Sequence, residues 1–104
     1  MVTKRNLDKI IADFISALNE LKLTIDKMYL FGSYANNTEK EYSDIDIAIV
    51  SKDFQGIRFF DIDKIIDALL KADNHIEPHP FAIKDFTQDN PFAKEIMQTG
   101  KRII

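Results

Sequence analysis

The segment that most constrains the fold of this chain runs from Asp44 to Val50 and reads DIDIAIV. Its isoleucines at 45, 47 and 49 alternate with Asp44, Asp46, Ala48 and Val50, which is the two-residue period of a β-strand. One face of this strand is apolar, and the other face begins with two acids. The sequence therefore predicts a strand with a buried face and a carboxylate pair at its start.

Two further elements precede this strand. Apolar residues from Leu7 to Leu21 recur every three or four positions, which predicts an amphipathic helix that Asn6 can cap. The short apolar run Met28–Phe31 stops at Gly32, as expected for a buried strand that ends in a tight turn. The polar stretch 33–43 predicts a loop, or one helical turn followed by a loop.

The second half of the chain predicts three more elements and a tail. Asp61 is expected to cap a second amphipathic helix through Leu70, which ends in the polar cluster 71–74. A third strand is expected over 75–83. Asn90 and Pro91 open a short helix that Gly100 closes, before a solvated tail over 101–104. This order of elements describes one compact α/β or α+β layer structure.

Composition excludes several classes of protein. The chain has 104 residues, 45% of them hydrophobic and 30% charged, which fits one globular domain. A net charge of -3 gives no general basic surface for a nucleic-acid backbone and leaves only a local basic patch open. The absence of cysteine excludes a disulfide scaffold and a thiol nucleophile. With no apolar run at its start, the chain is expected to be soluble and cytoplasmic, without a membrane partner.

Asp44 and Asp46 are the strongest candidates for metal ligands. Residues two apart on a strand project from the same face with Cα atoms about 6.6 Å apart, so both carboxylates can share one cation. Unpaired carboxylates side by side are electrostatically costly unless a bound cation compensates them. Oxygen ligands favour a hard cation, so Mg²⁺ or Mn²⁺ is expected rather than Zn²⁺.

Gly32 and Ser33 lie just upstream and suggest a phosphate-binding turn. Glycine lets the backbone approach a ligand closely, and the serine hydroxyl with nearby N–H groups can hold phosphate oxygens. A phosphate cradle beside a metal-binding acid pair indicates nucleotide chemistry, in which positioning and electrostatics do most of the work.

These two motifs together, Gly32-Ser33-Tyr34-Ala35 and Ser43-Asp44-Ile45-Asp46-Ile47, resemble the signature of the DNA polymerase β-like nucleotidyltransferase superfamily. Within it, the chain is similar to the minimal nucleotidyltransferases (MNT), often encoded beside a HEPN-domain partner in toxin–antitoxin pairs. The resemblance implies the nucleotidyltransferase fold, with a small mixed β-sheet flanked by helices, in a single domain over residues 1–104. Asn36 and Asn37 stand where the motif usually has a basic residue and a second glycine.

The resemblance also implies an activity and its participants. An NMP, with AMP as the favoured group, would pass from an NTP to a hydroxyl on a HEPN-type partner or at a homo-oligomer interface. Asp44 and Asp46 would bind metal, Gly32 and Ser33 would contact the triphosphate, and a third carboxylate would come from a later strand. The alternative function is a non-catalytic, antitoxin-like module that binds a protein partner.

Glu77 is the candidate for that third acid, as a metal ligand and as a group that helps deprotonate the acceptor. Strand alternation puts it on one face with His75 and His79. Pro78 and Pro80 both lack an N–H on the same side, which predicts a sheet edge or bulge there.

Each candidate has a simpler interpretation. Asp44 and Asp46 can be ordinary surface acids at a strand start, Gly32 and Ser33 a plain turn, and Glu77 an exposed acid at a strand edge. A rival functional interpretation makes His75, Glu77 and His79 a two-histidine, one-carboxylate site for a transition metal. Asp61 and Asp63 repeat the DID pattern, but at a helix start, where acids serve the helix. Three nearby phenylalanines fit a core or packed loop, although an exposed subset would suit a partner interface: Phe54, Phe59 and Phe60.

Overall fold

The computed structural model describes residues 4–39, 43–73 and 75–104. Within these ranges the chain forms, in order, α1 (Lys4–Glu20), β1 (Ile25–Phe31), β2 (Ile45–Ser51), α2 (Arg58–Lys71), β3 (Ile76–Ala82), α3 (Pro91–Thr99) and β4 (Lys101–Arg102). Single 3-10 turns follow β1 at Gly32–Tyr34 and β3 at Ile83–Asp85. Positions 40–42 of the predicted loop and Asn74 lie outside the described residues.

The strands form one mixed sheet in the order β3-β2-β1-β4. β1 pairs antiparallel with β2 and β4, whereas β2 and β3 run parallel, with α2 as their crossover. β3 therefore lies at an edge, as the two prolines predict. Pro78 and Pro80 are in register with Ile47 and Ile49, so β3 is paired on that side and the missing N–H groups face the open edge.

Each face of the sheet packs against helices. On one face, Met28, Leu30 and the isoleucines of β2 pack against the apolar stripe of α1 and the buried side of α2. On the other face, Tyr29, Val50 and Phe81 pack against Ala93 and Ile96 of α3. The alternation in β2 thus serves two cores at once, and the expected α+β arrangement of a mixed sheet flanked by helices is confirmed.

Two predicted helix starts are wrong. α1 begins at Lys4, which places Asn6 inside its first turn rather than at its cap. α2 begins at Arg58, with Ile57 as a cap residue that makes no side-chain hydrogen bond. Asp61 is therefore within the helix, fully buried, and its carboxylate accepts the N–H groups of Gln55 and Gly56 at 2.8 and 2.9 Å. It binds the loop before the helix, in the structural rather than metal-binding role expected of this second DID.

The end of the chain combines a confirmed cap and a missed strand. The Asn90 side chain accepts the N–H groups of Phe92 and Ala93, Pro91 is the first helical residue, and α3 ends at Gly100. The predicted solvated tail is instead β4, whose Lys101 and Arg102 pair with Leu30 and Tyr29. A two-residue strand has no period that a sequence pattern can reveal.

Candidate active site

Gly32 forms the turn that joins β1 to the 3-10 helix, and its backbone has φ of +73°. A Cβ placed on this residue would lie 3.3 Å from the Cγ atom of Asp46 and closer still to its Oδ2. Glycine is required here for two reasons, since the conformation is left-handed and the carboxylate of Asp46 occupies the space of a side chain. The turn and the second acid of the DID motif are therefore in direct contact.

The rest of the turn accommodates its two asparagines, Asn36 and Asn37. Asn37 has φ of +57°, a conformation that asparagine tolerates better than most residues. The N–H groups of Ala35 and Asn36 bind the Gly32 carbonyl, and the N–H of Thr38 binds that of Ser33. The lost glycine of the motif is thus compensated by Asn37.

Tyr34 anchors the turn to the core beneath it. Its ring is buried among the residues that pack against α1. Burial, and secondarily the nearby carboxylates of Glu39 and Asp73, raise the pKa of Tyr34 above its ordinary value. The phenol therefore stays neutral around pH 7 and serves as an apolar anchor.

Strand register places two candidate site residues, Asp46 and Glu77, at neighbouring positions of the sheet. Asp46 pairs with Phe31 on β1 and with Glu77 on β3. Side chains at paired positions of neighbouring strands point to the same face of a sheet. Asp44 comes immediately before β2 and is exposed, whereas Asp46 is half-buried. The structure thus brings Glu77 to the strand position beside Asp46.

His79 contacts Asp46, which sequence reasoning did not predict. Its Nε2 atom lies 3.3 Å from Asp46 Oδ1. The imidazole ring packs edge-on against Phe31 and Phe92, with centroid distances of 4.9 and 5.7 Å. These aromatic rings fix the imidazole, which in turn orients the carboxylate. His79 lies two residues after Glu77 on the same face of β3. Its contact with Asp46 is visible only once the register of β2 and β3 is known.

Glu77 is bound by Arg58, the first residue of α2. Its Oε1 atom lies 3.4 Å from Arg58 Nη2, while Arg58 Nη1 donates to the Pro78 carbonyl at 3.2 Å. Both side chains of the ion pair are about half exposed, and such pairs contribute less than about 1 kcal/mol. Glu77 can therefore turn from Arg58 toward Asp46 at small cost.

The two-histidine metal site is not assembled in the structure. His75 binds Asp73 through both its ring Nδ1 and its backbone N–H, whereas His79 and Glu77 contact other partners. Partial burial favours protonation of Asp73, but these two contacts outweigh it and lower the pKa of this carboxyl. Across 4–39, 43–73 and 75–104, no three His, Cys, Asp or Glu side chains form a group that could hold a metal ion.

Comparison with known families identifies this arrangement. The family model described as polymerase beta, nucleotidyltransferase matches residues 13–104. The chain belongs to this nucleotidyltransferase family. The match includes the Gly32 turn, Asp44, Asp46 and Glu77, and it is consistent with a minimal nucleotidyltransferase.

Membership of this family implies a general type of substrate and cofactor. Nucleotidyltransferases act on a nucleotide substrate, and they generally use a divalent metal. No curated protein matches the chain significantly. None of the helices among the described residues is both long and apolar enough to cross a membrane.

Proposed function

We propose that this protein is a divalent-metal-dependent nucleotidyltransferase that transfers an NMP, preferably AMP, from an NTP to a hydroxyl acceptor. The acceptor oxygen forms a bond to the α-phosphorus, and the bond from that phosphorus to the bridging oxygen breaks to release pyrophosphate. The contact between the Asp46 carboxylate and the Gly32 turn carries this proposal. This contact brings the carboxylates at the start of β2 next to a turn that can bind phosphate. Phosphoryl transfer requires such a metal-binding group beside a phosphate-binding one.

The donor atoms at this site fit a hard divalent cation. Asp44 and Asp46 provide carboxylate oxygens from the start of β2, and the space above Gly32 holds one of them. Such ligands suit Mg²⁺ or Mn²⁺. When bound, the ion would neutralise part of the triphosphate charge. Asp44 and Asp46 would hold it, and Glu77 would join them once its side chain leaves Arg58. Gly32 with Ser33 would contact the phosphate oxygens.

Glu77 has a second role in this proposal. Its carboxylate would accept the proton of the attacking hydroxyl, which requires it to leave Arg58. The exposed ion pair makes this movement inexpensive. Arg58 would then remain beside the site as a cation. It could replace the basic residue that the motif usually has at the position of Asn36.

The acceptor is proposed to reside on another protein. Residues 1–104 would form one minimal domain in the cytoplasm, and a HEPN-type partner or a second copy of the chain would present a tyrosine or similar hydroxyl. The apolar side chains that α2 leaves exposed support a protein partner.

A second function is supported by a separate observation. Glu77 is paired with Arg58, and the described residues contain no group of three metal-binding side chains. These features favour a binding module that keeps the fold and binds its partner without nucleotide transfer.

Label transfer separates the two functions. The purified protein is incubated with each α-³²P-labelled NTP, Mg²⁺ or Mn²⁺, and the protein encoded by the neighbouring gene. We expect label on the partner from ATP with the wild type and with the control Asp26→Asn, whose carboxylate is exposed on β1. The double variant Asp44→Asn plus Asp46→Asn should transfer none. A stable complex without label under any condition would favour the binding module.

A further inference from the structure

Helix α2 has a second apolar face that the fold does not use. Ile65 and Ala68 are buried in the core, but Phe59 is 78% exposed, Leu70 77% and Ile66 40%. Large apolar side chains gathered on one exposed helix face are typical of interaction surfaces rather than of a monomer's ordinary surface.

The exposed face borders a groove between α2 and the open edge of β3. The groove has a volume of about 570 Å³, and Phe59, Ile62, Ile66 and Leu69 line it on the helix side. Pro78 and Glu77 line the opposite side. Since Glu77 is also the register partner of Asp46, the groove ends at the candidate acid site.

The shape of this groove favours a helix over a strand as its occupant. A strand added to the edge of β3 would need N–H donors, which Pro78 and Pro80 lack, and Arg58 already occupies the Pro78 carbonyl. Residues 59, 62, 66 and 69 are spaced by three, four and three, which is the spacing of a seam that receives another helix. An amphipathic helix therefore matches the surface that α2 presents.

The charges in the groove favour a helix of another protein over a second copy. In an antiparallel pair of α2 helices, Phe59 of one copy would pack against Leu69 of the other, and Ile62 against Ile66. The centre of this pair is position 64, so the Asp63 carboxylates of the two copies would lie close together and repel each other. A parallel pair would offer Arg58 to Asp63, but only by breaking its contacts to Glu77 and Pro78. Both arrangements carry an electrostatic cost.

Asp63 indicates the charge of the occupant. It lines the groove, and no described residue pairs with its exposed carboxylate. A partner helix with a lysine or arginine facing Asp63 would compensate this charge as the apolar seam closes.

We propose that the α2 groove docks an amphipathic helix of the acceptor protein, with a basic side chain facing Asp63. The docked helix lies against Glu77, so its protein can present a hydroxyl to the acid site. The identity of the occupant as the acceptor protein and the placement of its hydroxyl rest on the proposed function, whereas the docking of an amphipathic helix with a basic side chain does not.

The test uses a designed 21-residue amphipathic peptide, with leucine at the seam positions and one lysine placed to face Asp63. A matched peptide carries glutamate instead of that lysine. Binding to the full chain is measured by fluorescence anisotropy without nucleotide or metal, so this experiment can fail while label transfer succeeds, and the reverse.

We expect the lysine peptide to bind the wild type at least about tenfold more tightly than the glutamate peptide, and Asp63→Lys to reverse this preference. Phe59→Ala plus Ile66→Ala, at two exposed residues that line the groove, should weaken binding by about tenfold or more. The control Ile83→Ala, at a 45% exposed apolar residue outside the groove, should leave binding unchanged. Circular dichroism confirms that each variant is folded.

Two results would overturn the proposal. One is equal binding of both peptides to the wild type and to the groove variants. The other is a wild-type dimer in sedimentation analysis that Ile66→Ala dissociates, because the groove would then belong to a second copy of this chain.

Discussion

His79 Nε2 lies 3.3 Å from Oδ1 of Asp46, and the imidazole packs edge-on against the rings of Phe31 and Phe92, which also contact each other. Asp46 is thereby fixed from two sides, by His79 on β3 and by the side-chain-free surface of Gly32. Loss of a group that orients a metal-binding ligand typically lowers metal affinity or activity by about 10- to 100-fold. This makes His79 a positioning residue for the proposed reaction.

Replacing His79 with alanine should lower kcat for nucleotide transfer by about tenfold or more, because the Asp46 carboxylate loses an orienting contact. KM for the NTP should change much less, and His79→Gln, which can still donate a hydrogen bond, should recover part of kcat. Steady-state kinetics of the three proteins measure this. Equal kcat values for wild type and alanine variant would show that the contact has no positioning role.

Gly32→Ala should both destabilise the protein and reduce transfer. The left-handed backbone costs an alanine about 1–2 kcal/mol, and its Cβ would displace the Asp46 carboxylate. Gly56→Ala is a matched control, since Gly56 has φ of +88° but approaches Asp85 instead. Urea unfolding should detect a loss in both variants, whereas transfer per folded molecule should fall only for Gly32→Ala.

Asp61→Ala should lower the free energy of unfolding by about 3 kcal/mol, because two backbone N–H groups lose their charged acceptor. The neighbouring exposed acid provides the control, and Asp63→Ala should stay within about 0.5 kcal/mol of the wild type. Urea denaturation of both variants gives the comparison. Similar losses at both positions would contradict the role assigned to Asp61.

The lowered pKa of Asp73 predicts an acid-dependent contribution to stability. A carboxyl whose pKa is lower in the folded state stabilises the fold above its ordinary value, here 3.8, and loses this effect as the pH falls through the folded value. Asp73→Asn should therefore be less stable than wild type by about 1 kcal/mol at pH 7. The difference should shrink below pH 3.8. Thermal unfolding between pH 7 and pH 3 measures it, and a constant difference would refute this assignment.

The sequence predicted those elements whose local pattern coincides with their packing. β2 and α3 were located to within a residue, because alternation and the Asn90-Pro91 cap act within the segment itself. The start of α2 was missed, since Phe59 and Phe60 are exposed and the apolar stripe facing the core begins later. Only Phe54 of the three phenylalanines is buried.

The site was predictable as a set of residues but not as a set of contacts. Spacing and resemblance indicated Gly32, Asp44 and Asp46, and the prolines predicted the edge beside Glu77. The pairing of Asp46 with Glu77, and the contacts of His79 and Arg58, depend on how β2, β3 and α2 align. Register between distant segments leaves no periodic signal in a single sequence.

In the proposed function, Asp44 and Asp46 at the start of β2 and the Gly32 turn together hold a metal-bound nucleotide. Isothermal titration calorimetry with a nonhydrolysable ATP analogue and Mg²⁺ tests this most directly, on the wild type and on Asp44→Asn plus Asp46→Asn. We predict binding that requires Mg²⁺ and weakens by at least about tenfold in the variant, since both proposed carboxylate ligands are lost. Equal affinity in both proteins, or binding that ignores Mg²⁺, would contradict the account.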